Sequence, residues 1–240
     1  MATELIDKIK SRGYWRVIIK PTKFNKNAIH SLDECRQLIE ESKVDLRGWD
    51  YPHLPRLGDG LVKGVDWIEA STESMIWIPI TEYWRFYQSG QFAHLFNCEE
   101  DWVNRDQLQI QNWRNLPLPE RVLSIFNTVY RITEIYEFAA RLAAKEIFGS
   151  DLSITVELHG MKDRGLVITD RMRAPLLDNY ICRVDDLPYP PKVVSIETLL
   201  AQSSELALEN IVWFFERFNW QNIPVHSIRD DQRRLLERRL

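Results

Sequence analysis

The hydrophobic positions of the chain follow a helical period in some stretches and form strand-like runs in others, which predicts a mixed α+β protein. Apolar residues spaced three and four apart predict helices over residues 3–12, 32–42, 119–149, the region after 193, and 227–240. Runs of β-branched and aromatic residues predict strands over residues 14–19, 62–72, 80–88, 91–97, 153–158 and 165–169, the last two as a hairpin. We expect an antiparallel sheet covered by the long central helix, with a helical C-terminal segment.

Local signals mark the ends of several predicted helices. Ser31 followed by Glu34 is a capping-box pattern, in which each side chain can bind a free backbone N–H at the start of the helix. Pro119 suits the first turn of the long helix, and Gly149 suits its C-terminal cap. Polar residues predict an exposed edge along this helix, namely Arg131, Glu134, Arg141 and Lys145.

The most aromatic part of the chain is the stretch Met75–Cys98, and it predicts a β-hairpin. Ile80–Gln88 and Gln91–Asn97 are two runs of good strand formers, separated by Ser89 and Gly90. A short Gly-containing break between two such runs is typical of a hairpin, although Ser-Gly is a weaker signal than Asn-Gly.

A helical alternative exists for the first of these two runs. Thr81 is a suitable N-cap and Gly90 a typical helix stop, so Glu82–Ser89 could instead form a short helix. A helix there would scatter the aromatic residues around its axis. It would therefore remove any continuous aromatic face.

A two-residue hairpin loop determines which side chains share a face, because side chains alternate along a strand. The predicted core face carries Trp84, Phe86, Ala93 and Leu95. The other face carries Tyr83, Arg85, Tyr87, Phe92, His94 and Phe96. Aromatic rings with Arg can stack bases or contact a protein partner. The alternative is that helices cover this second face as well and make it part of the core.

The loop-like segment Val44–Leu61 is a second candidate for function, because it is rich in Gly and Pro and loops on a rigid scaffold often bind ligands. Its aromatic and polar residues suited to ligand contact are Arg47, Trp49, Asp50, Tyr51 and His53. The alternative is that the two aromatic side chains fill the core and that Arg47 pairs with Asp50.

Composition and charge place the chain among ordinary globular proteins. Of 240 residues, 45% are hydrophobic and 28% charged, and the net charge of −4 argues against a general polyanion binder. Three widely separated cysteines without a CxxC pair favour a reducing compartment. With no apolar signal segment and no run of about 18 apolar residues, we expect a cytoplasmic protein without membrane association.

Sequence motifs of common enzymes do not occur. The chain has no phosphate-binding loop, dinucleotide fingerprint, HExxH, GxSxG or kinase pattern, and its five histidines are isolated, so we expect no cofactor and no metal. A metal-dependent nucleic-acid hydrolase is the alternative function. It would use carboxylates and a lysine drawn from Asp66, Glu69, Glu73, Glu157 and Lys162.

Together these patterns predict an α+β domain over residues 1–184, a Pro-rich linker over 185–192, and a helical segment over 193–240 packed on the domain. We expect a non-catalytic binding or regulatory module rather than an enzyme. Its partner would be another protein, a second copy of the chain, or nucleic acid. The predicted binding residues are Tyr83, Arg85, Tyr87, Phe92, His94, Arg47, Trp49 and His53.

Overall fold

The chain combines helices with an antiparallel sheet in the computed structural model, which describes residues 2–55, 60–74, 79–111 and 117–239. The helices in these ranges are α1 (Ala2–Lys10), α2 (Leu32–Ser42), α3 (Ile125–Ala143), α4 (Ile196–Arg217) and α5 (Val225–Leu236). The strands are β1 (Tyr14–Pro21), β2 (Val44–Asp45), β3 (Asp50–Tyr51), β4 (Leu61–Lys63), β5 (Trp67–Ser74), β6 (Ile80–Tyr87), β7 (Phe92–Asn97), β8 (Val122–Ser124), β9 (Asp151–His159), β10 (Gly165–Val167), β11 (Leu187–Pro188) and β12 (Lys192–Ser195). Two 3-10 turns occupy Glu99–Asp101 and Arg105–Leu108.

Eight of the described strands form one antiparallel sheet. Their order is β11, β9, β1, β7, β6, β5 and β4, and β12 also pairs with β9. This sheet, together with the separate helices and the helical C-terminal part, confirms the predicted α+β class. No helix in the described ranges is long and apolar enough to cross a membrane.

The inner face of the sheet is covered by α3 and α4 and forms the core. The ring of Phe92 lies 4.9 Å from that of Phe138 on α3, and the ring of Trp15 lies 6.1 Å from that of Phe214 on α4. All four side chains are buried. Because burial of one large apolar side chain contributes about 1.5–3 kcal/mol, this layer of contacts holds the helices to the sheet.

The outer face of the sheet is covered at one end by α1. Ile9 of α1 is fully buried, and Lys8 pairs with Glu73 near the end of β5. Towards the other end, outer-face side chains such as Ile18 and Tyr87 are only half-buried. Part of a sheet face therefore remains open to solvent.

The long helix begins later than predicted, because part of its predicted first turn is the strand β8. This strand pairs in parallel with β10. Ser124 then caps α3 by accepting a hydrogen bond from the Asn127 N–H at 3.3 Å. The predicted hairpin between residues 153–158 and 165–169 is therefore wrong, since β9 pairs with β1 instead. The strands that do pair, β8 with β10 and β1 with β9, are far apart in the sequence. No short turn joins them, so no local turn pattern in the sequence predicts the pairing.

The predicted exposed edge of the long helix is wrong for two of its four residues. Arg131 and Glu134 are buried, at 7% and 0% exposure. Arg131 pairs with Glu99, and Glu134 pairs with Arg47 at 2.7 Å. Buried charges are tolerated where an opposite charge satisfies them, and these partners come from distant parts of the chain. The other two predicted edge residues are half-buried.

Other local predictions are confirmed or adjusted. The hydroxyl of Ser31 accepts from the Glu34 N–H at 3.1 Å, so the predicted start of α2 is confirmed. The predicted strand over 62–72 is two paired strands, β4 and β5. The last helix begins after Pro224 rather than at Ser227. Parts of predicted elements at residues 56–59, 75–78, 112–116 and 240 lie outside the described residues.

The Pro-rich segment 185–192 runs along the sheet. Its strand β11 pairs with β9, and Lys192 begins β12, which also pairs with β9. The side chain of Tyr189 is buried, with its ring 5.4 Å from that of Trp213 on α4. The segment therefore contributes to both the sheet and the core, while the division of the chain into domains at this point stays a prediction.

Candidate functional site

The hairpin of β6 and β7 is confirmed, but its register differs by one residue from the predicted one. Phe86 lies opposite Phe92, and Trp84 lies opposite His94. Because side chains alternate, a shift of one residue exchanges every side chain of β7 between the two faces. The predicted face assignment of β7 is therefore wrong. The outer face receives Ala93 and Leu95, and the inner face receives Phe92, His94 and Phe96.

Gln88 explains this register, because it belongs to the loop rather than to the strand ladder. Its N–H donates to the Asp66 carbonyl at 2.8 Å, and its carbonyl accepts from the Ile29 N–H at 2.9 Å. The loop then contains three residues and ends at Gly90, which has φ +83° and donates to the Tyr87 carbonyl at 2.8 Å. A left-handed residue closing a three-residue loop is a common hairpin geometry and favours glycine. The helical alternative for this segment is wrong.

On the outer face, Tyr83, Arg85 and Tyr87 remain together, and neighbouring strands surround them with further side chains. Cross-strand pairing places Trp67 beside Tyr87, and Ala93 beside Arg85. We name the following set the outer surface: Ile18, Val62, Trp67, Glu69, Tyr83, Arg85, Tyr87, Ala93 and Leu95. It combines aromatic, aliphatic and charged side chains on adjacent strands.

The sequence analysis missed several members of the outer surface, among them Ile18, Leu95 and Trp67. Ile18 joins the surface because β1 pairs with β7, a neighbour that lies far away in the sequence. Leu95 was assigned to the core through the wrong register. Trp67 had one signal, since alternation along a predicted strand places it on the same side as Glu69.

Arg85 is held at the centre of the outer surface by polar contacts and an aromatic ring. Its Nη2 and Nε atoms donate to Glu69 Oε2 at 2.6 and 2.9 Å, and its Nη1 donates to the Tyr87 hydroxyl at 3.3 Å. The guanidinium lies over the Trp67 ring at 4.1 Å. Burial alone would lower the pKa of Arg85, but its hydrogen bonds to Tyr87 and Glu69 outweigh burial and raise the pKa. The side chain is therefore rigid and permanently charged.

Tyr83 completes this arrangement by donating its hydroxyl proton to Glu69. Burial and the adjacent Glu69 carboxylate both raise the pKa of Tyr83, so the hydroxyl stays protonated. Further along the same face, Arg16 pairs with Glu157 at 2.7 Å. Each arginine of this face thus has a carboxylate partner, and the face carries little net charge.

Replacing Arg85 with alanine is expected to lower the free energy of unfolding by about 1–3 kcal/mol, because the largely buried Glu69 carboxylate loses two charge-assisted hydrogen bonds. The double variant Arg85→Ala with Glu69→Gln is expected to recover part of this loss. Urea denaturation of the wild type, both single variants and the double variant measures the coupling. A single Arg85→Ala variant as stable as the wild type would show that the pair does not support the fold.

Phe92 and His94, which were predicted to face a ligand, both lie in the core. Burial lowers the pKa of His94, so its imidazole is neutral. Burial raises the pKa of Tyr51 well above its ordinary value, so that hydroxyl keeps its proton. With these protonation states, Tyr51 donates to His94 Nδ1 at 3.3 Å, and His94 Nε2 donates to Glu82 at 3.1 Å. The histidine thus connects polar groups inside the protein.

Arg47, Trp49 and His53 lie on the inner side of the sheet, where they attach their loop to the core. Arg47 donates to Glu134 from Nε and Nη2, at 2.9 and 2.7 Å, and its guanidinium lies 4.7 Å from the centre of the Trp49 ring. The His53 carbonyl accepts from the indole N–H of Trp84 at 2.8 Å. The structure therefore separates these loop residues from the outer surface.

Three of the carboxylates considered for a metal-dependent hydrolase, Glu69, Glu73 and Glu157, are spread over the outer face and are paired with cations. Glu73 pairs with Lys8 at one end, and Glu157 pairs with Arg16 and contacts His159 at the other. In the described ranges, no group of three or more His, Cys, Asp or Glu side chains is arranged to hold a metal ion.

The described residues form an open sheet face of mixed aromatic, aliphatic and paired charged side chains, the outer surface. No protein-family model, no curated protein and no solved structure matches this chain.

Proposed function

We propose that this chain is a non-catalytic binding module that engages a protein partner through the outer surface. The observation that carries the proposal is an open sheet face whose centre is an immobilised Arg85 between Trp67 and Tyr87. Trp, Tyr and Arg are the residues most enriched at the energetically important positions of protein interfaces. Rigid side chains also lose little conformational entropy when a partner binds.

The charge of the face favours protein over nucleic acid. Nucleic-acid binding depends on Lys and Arg side chains that neutralise phosphates. Here Arg85 is paired with Glu69, and Arg16 is paired with Glu157. A nearly neutral face with apolar neighbours is better matched to a protein surface.

The size of the face also suits a protein partner. Six strands lie side by side in this part of the sheet, in the order β4, β5, β6, β7, β1 and β9. At about 4.8 Å between neighbouring strands, they span about 24 Å. A standard interface buries about 800 Å² on each partner, which corresponds to a patch of similar width. Val62 and Val65, 51% and 91% exposed, extend the apolar surface at the β4 edge.

The variant Ile18→Lys tests the proposal, because a lysine can keep its charge in water while its stem lies along the sheet. We expect this variant to fold normally and to lose the bound protein partner at least tenfold. Immobilised wild-type and variant proteins are compared for the proteins they retain from cells that express the chain. Light scattering of the purified protein tests whether a second copy is the partner.

A matched control introduces the same charge elsewhere. Val193→Lys changes an exposed residue of β12, and this variant is expected to retain the partner that Ile18→Lys loses. Equal retention by both variants would exclude the outer surface as the interface. Binding of a single-stranded polynucleotide that Ile18→Lys retains and Ile18→Glu abolishes would favour the nucleic-acid alternative over a protein partner.

A further inference from the structure

A separate cleft lies beside the two 3-10 turns and shares no residue with the outer surface. Its volume is about 380 Å³, which is within the range of small-molecule sites. The residues that give it its chemical character are Arg12, Arg105, Arg121, Glu100, Asp101 and Glu120. The cleft therefore brings together three guanidinium groups from three distant parts of the sequence.

These three arginines lack carboxylate partners within the described part of the chain, in contrast to the arginines of the outer face. Arg12 donates to the backbone carbonyl of Asp101. Arg121 donates to the carbonyls of Gly160 and Lys162, at 3.3 and 2.6 Å. Backbone carbonyls orient a guanidinium without neutralising its charge, so the two side chains are positioned and remain cationic.

Asp101 does not offset these charges, because another arginine already neutralises it. Arg164 is fully buried and donates to both Asp101 carboxylate oxygens, at 2.8 and 2.6 Å. Gly13 allows this arrangement, since a Cβ atom there would lie 2.4 Å from Arg164 Nη2. Glu120 is exposed and adds one negative charge to the lining, so the three guanidinium groups outweigh it.

Glu100 is the buried polar group in the lining of the cleft. Its Oε1 accepts from the Ser124 N–H at 2.9 Å and from the Asn127 amide at 3.4 Å. Burial and the neighbouring Glu99 raise the pKa of Glu100 to about 7. A protonated carboxyl can donate a hydrogen bond to an anion, which an ionised carboxylate would repel.

We propose that this cleft binds a small oxyanion, either a phosphate or a carboxylate group of a small molecule. Arg12, Arg105 and Arg121 would contact its oxygens, and the Glu100 carboxyl, in its protonated form, would donate to it from the buried side. Planar guanidinium groups match the geometry of both phosphate and carboxylate oxygens. The proposal does not depend on the protein-binding role of the outer surface.

Calorimetric titration of the full chain with inorganic phosphate, and separately with malonate, tests this site. Both titrations are made at pH 7 and constant ionic strength. We expect saturable binding of at least one anion, and the tighter of the two identifies the ligand class.

Arg105→Gln removes a guanidinium that has no hydrogen bond or ion pair with another described residue, and it is expected to weaken binding at least about tenfold. The matched control Arg234→Gln, an exposed arginine of α5, is expected to change affinity less than twofold.

Glu100→Gln separates anion binding from a purely structural role of this residue. The glutamine can still accept from the Ser124 N–H, and it offers a donor without a negative charge. We therefore expect phosphate or malonate to bind the Glu100→Gln variant several-fold more tightly than it binds the wild type at pH 8. The proposal is overturned by saturable binding of neither anion, by equal weakening in Arg105→Gln and Arg234→Gln, or by weaker binding to Glu100→Gln.

Discussion

Replacing Phe92 with alanine is expected to lower the free energy of unfolding by about 3–5 kcal/mol, because the structure places this ring in the core. The side chain is fully buried, and its ring lies 4.9 Å from that of Phe138 and 6.2 Å from that of Trp84. For a chain of this length, about 2–4 °C of melting temperature is lost per kcal/mol. Urea and thermal denaturation both measure the change.

Tyr87→Ala is the matched control, since Tyr87 is half-buried on the outer face of the same hairpin. It is expected to cost less than about 1 kcal/mol, as substitutions outside the core usually do. The comparison tests the register directly. Phe92→Ala could instead lower the free energy of unfolding no more than Tyr87→Ala does. The strands would then pair as a two-residue loop requires, with Phe92 on the outer face.

Replacing Glu134 with alanine is expected to destabilise the protein by about 3–5 kcal/mol, because it leaves a buried arginine without its partner. Glu134 and Arg47 have side-chain exposures of 0% and 6% and are joined by two hydrogen bonds of 2.9 and 2.7 Å. Arg131 also lies 3.8 Å from the same carboxylate. Denaturation in urea at pH 7 measures the loss.

An exposed pair of the same geometry provides the control. Glu205 accepts two hydrogen bonds from Arg229, at 3.0 and 2.9 Å, but both side chains are about half exposed. Glu205→Ala is expected to cost less than about 1 kcal/mol, because solvent screens exposed ion pairs. The double variant Glu134→Leu with Arg47→Met should recover much of the stability that Glu134→Ala loses. Equal effects of Glu134→Ala and Glu205→Ala would contradict the buried position of the first pair.

The candidate site could be predicted from the sequence only in part. Tyr83, Arg85 and Tyr87 share a face of β6, as alternation along one strand requires. Their companions from other strands could not be placed, because strand order is a property of the whole sheet. Among the loop residues, Arg47 is buried in an ion pair with Glu134, which is far away in the sequence. No local pattern distinguishes such a residue from one that binds a ligand.

The sequence by itself determined the features that depend on neighbouring residues. These are the start of α2, where Ser31 binds the Glu34 N–H, the strand β1, and the existence of a hairpin near Gly90. Each rests on a hydrogen bond, a side-chain alternation or a backbone conformation within a few residues. Such short-range effects operate in any fold that contains the segment.

The tertiary structure decided which residues face inward. Ser89 and Gly90 are compatible with a loop of two or three residues, and the contacts of Gln88 with Asp66 and Ile29 select three. The third loop residue shifts the register by one, which places Phe92 in the core and puts Ala93 and Leu95 on the outer surface. The physical reason is that strand register is set by burial and long-range hydrogen bonds, and these form only when distant segments meet.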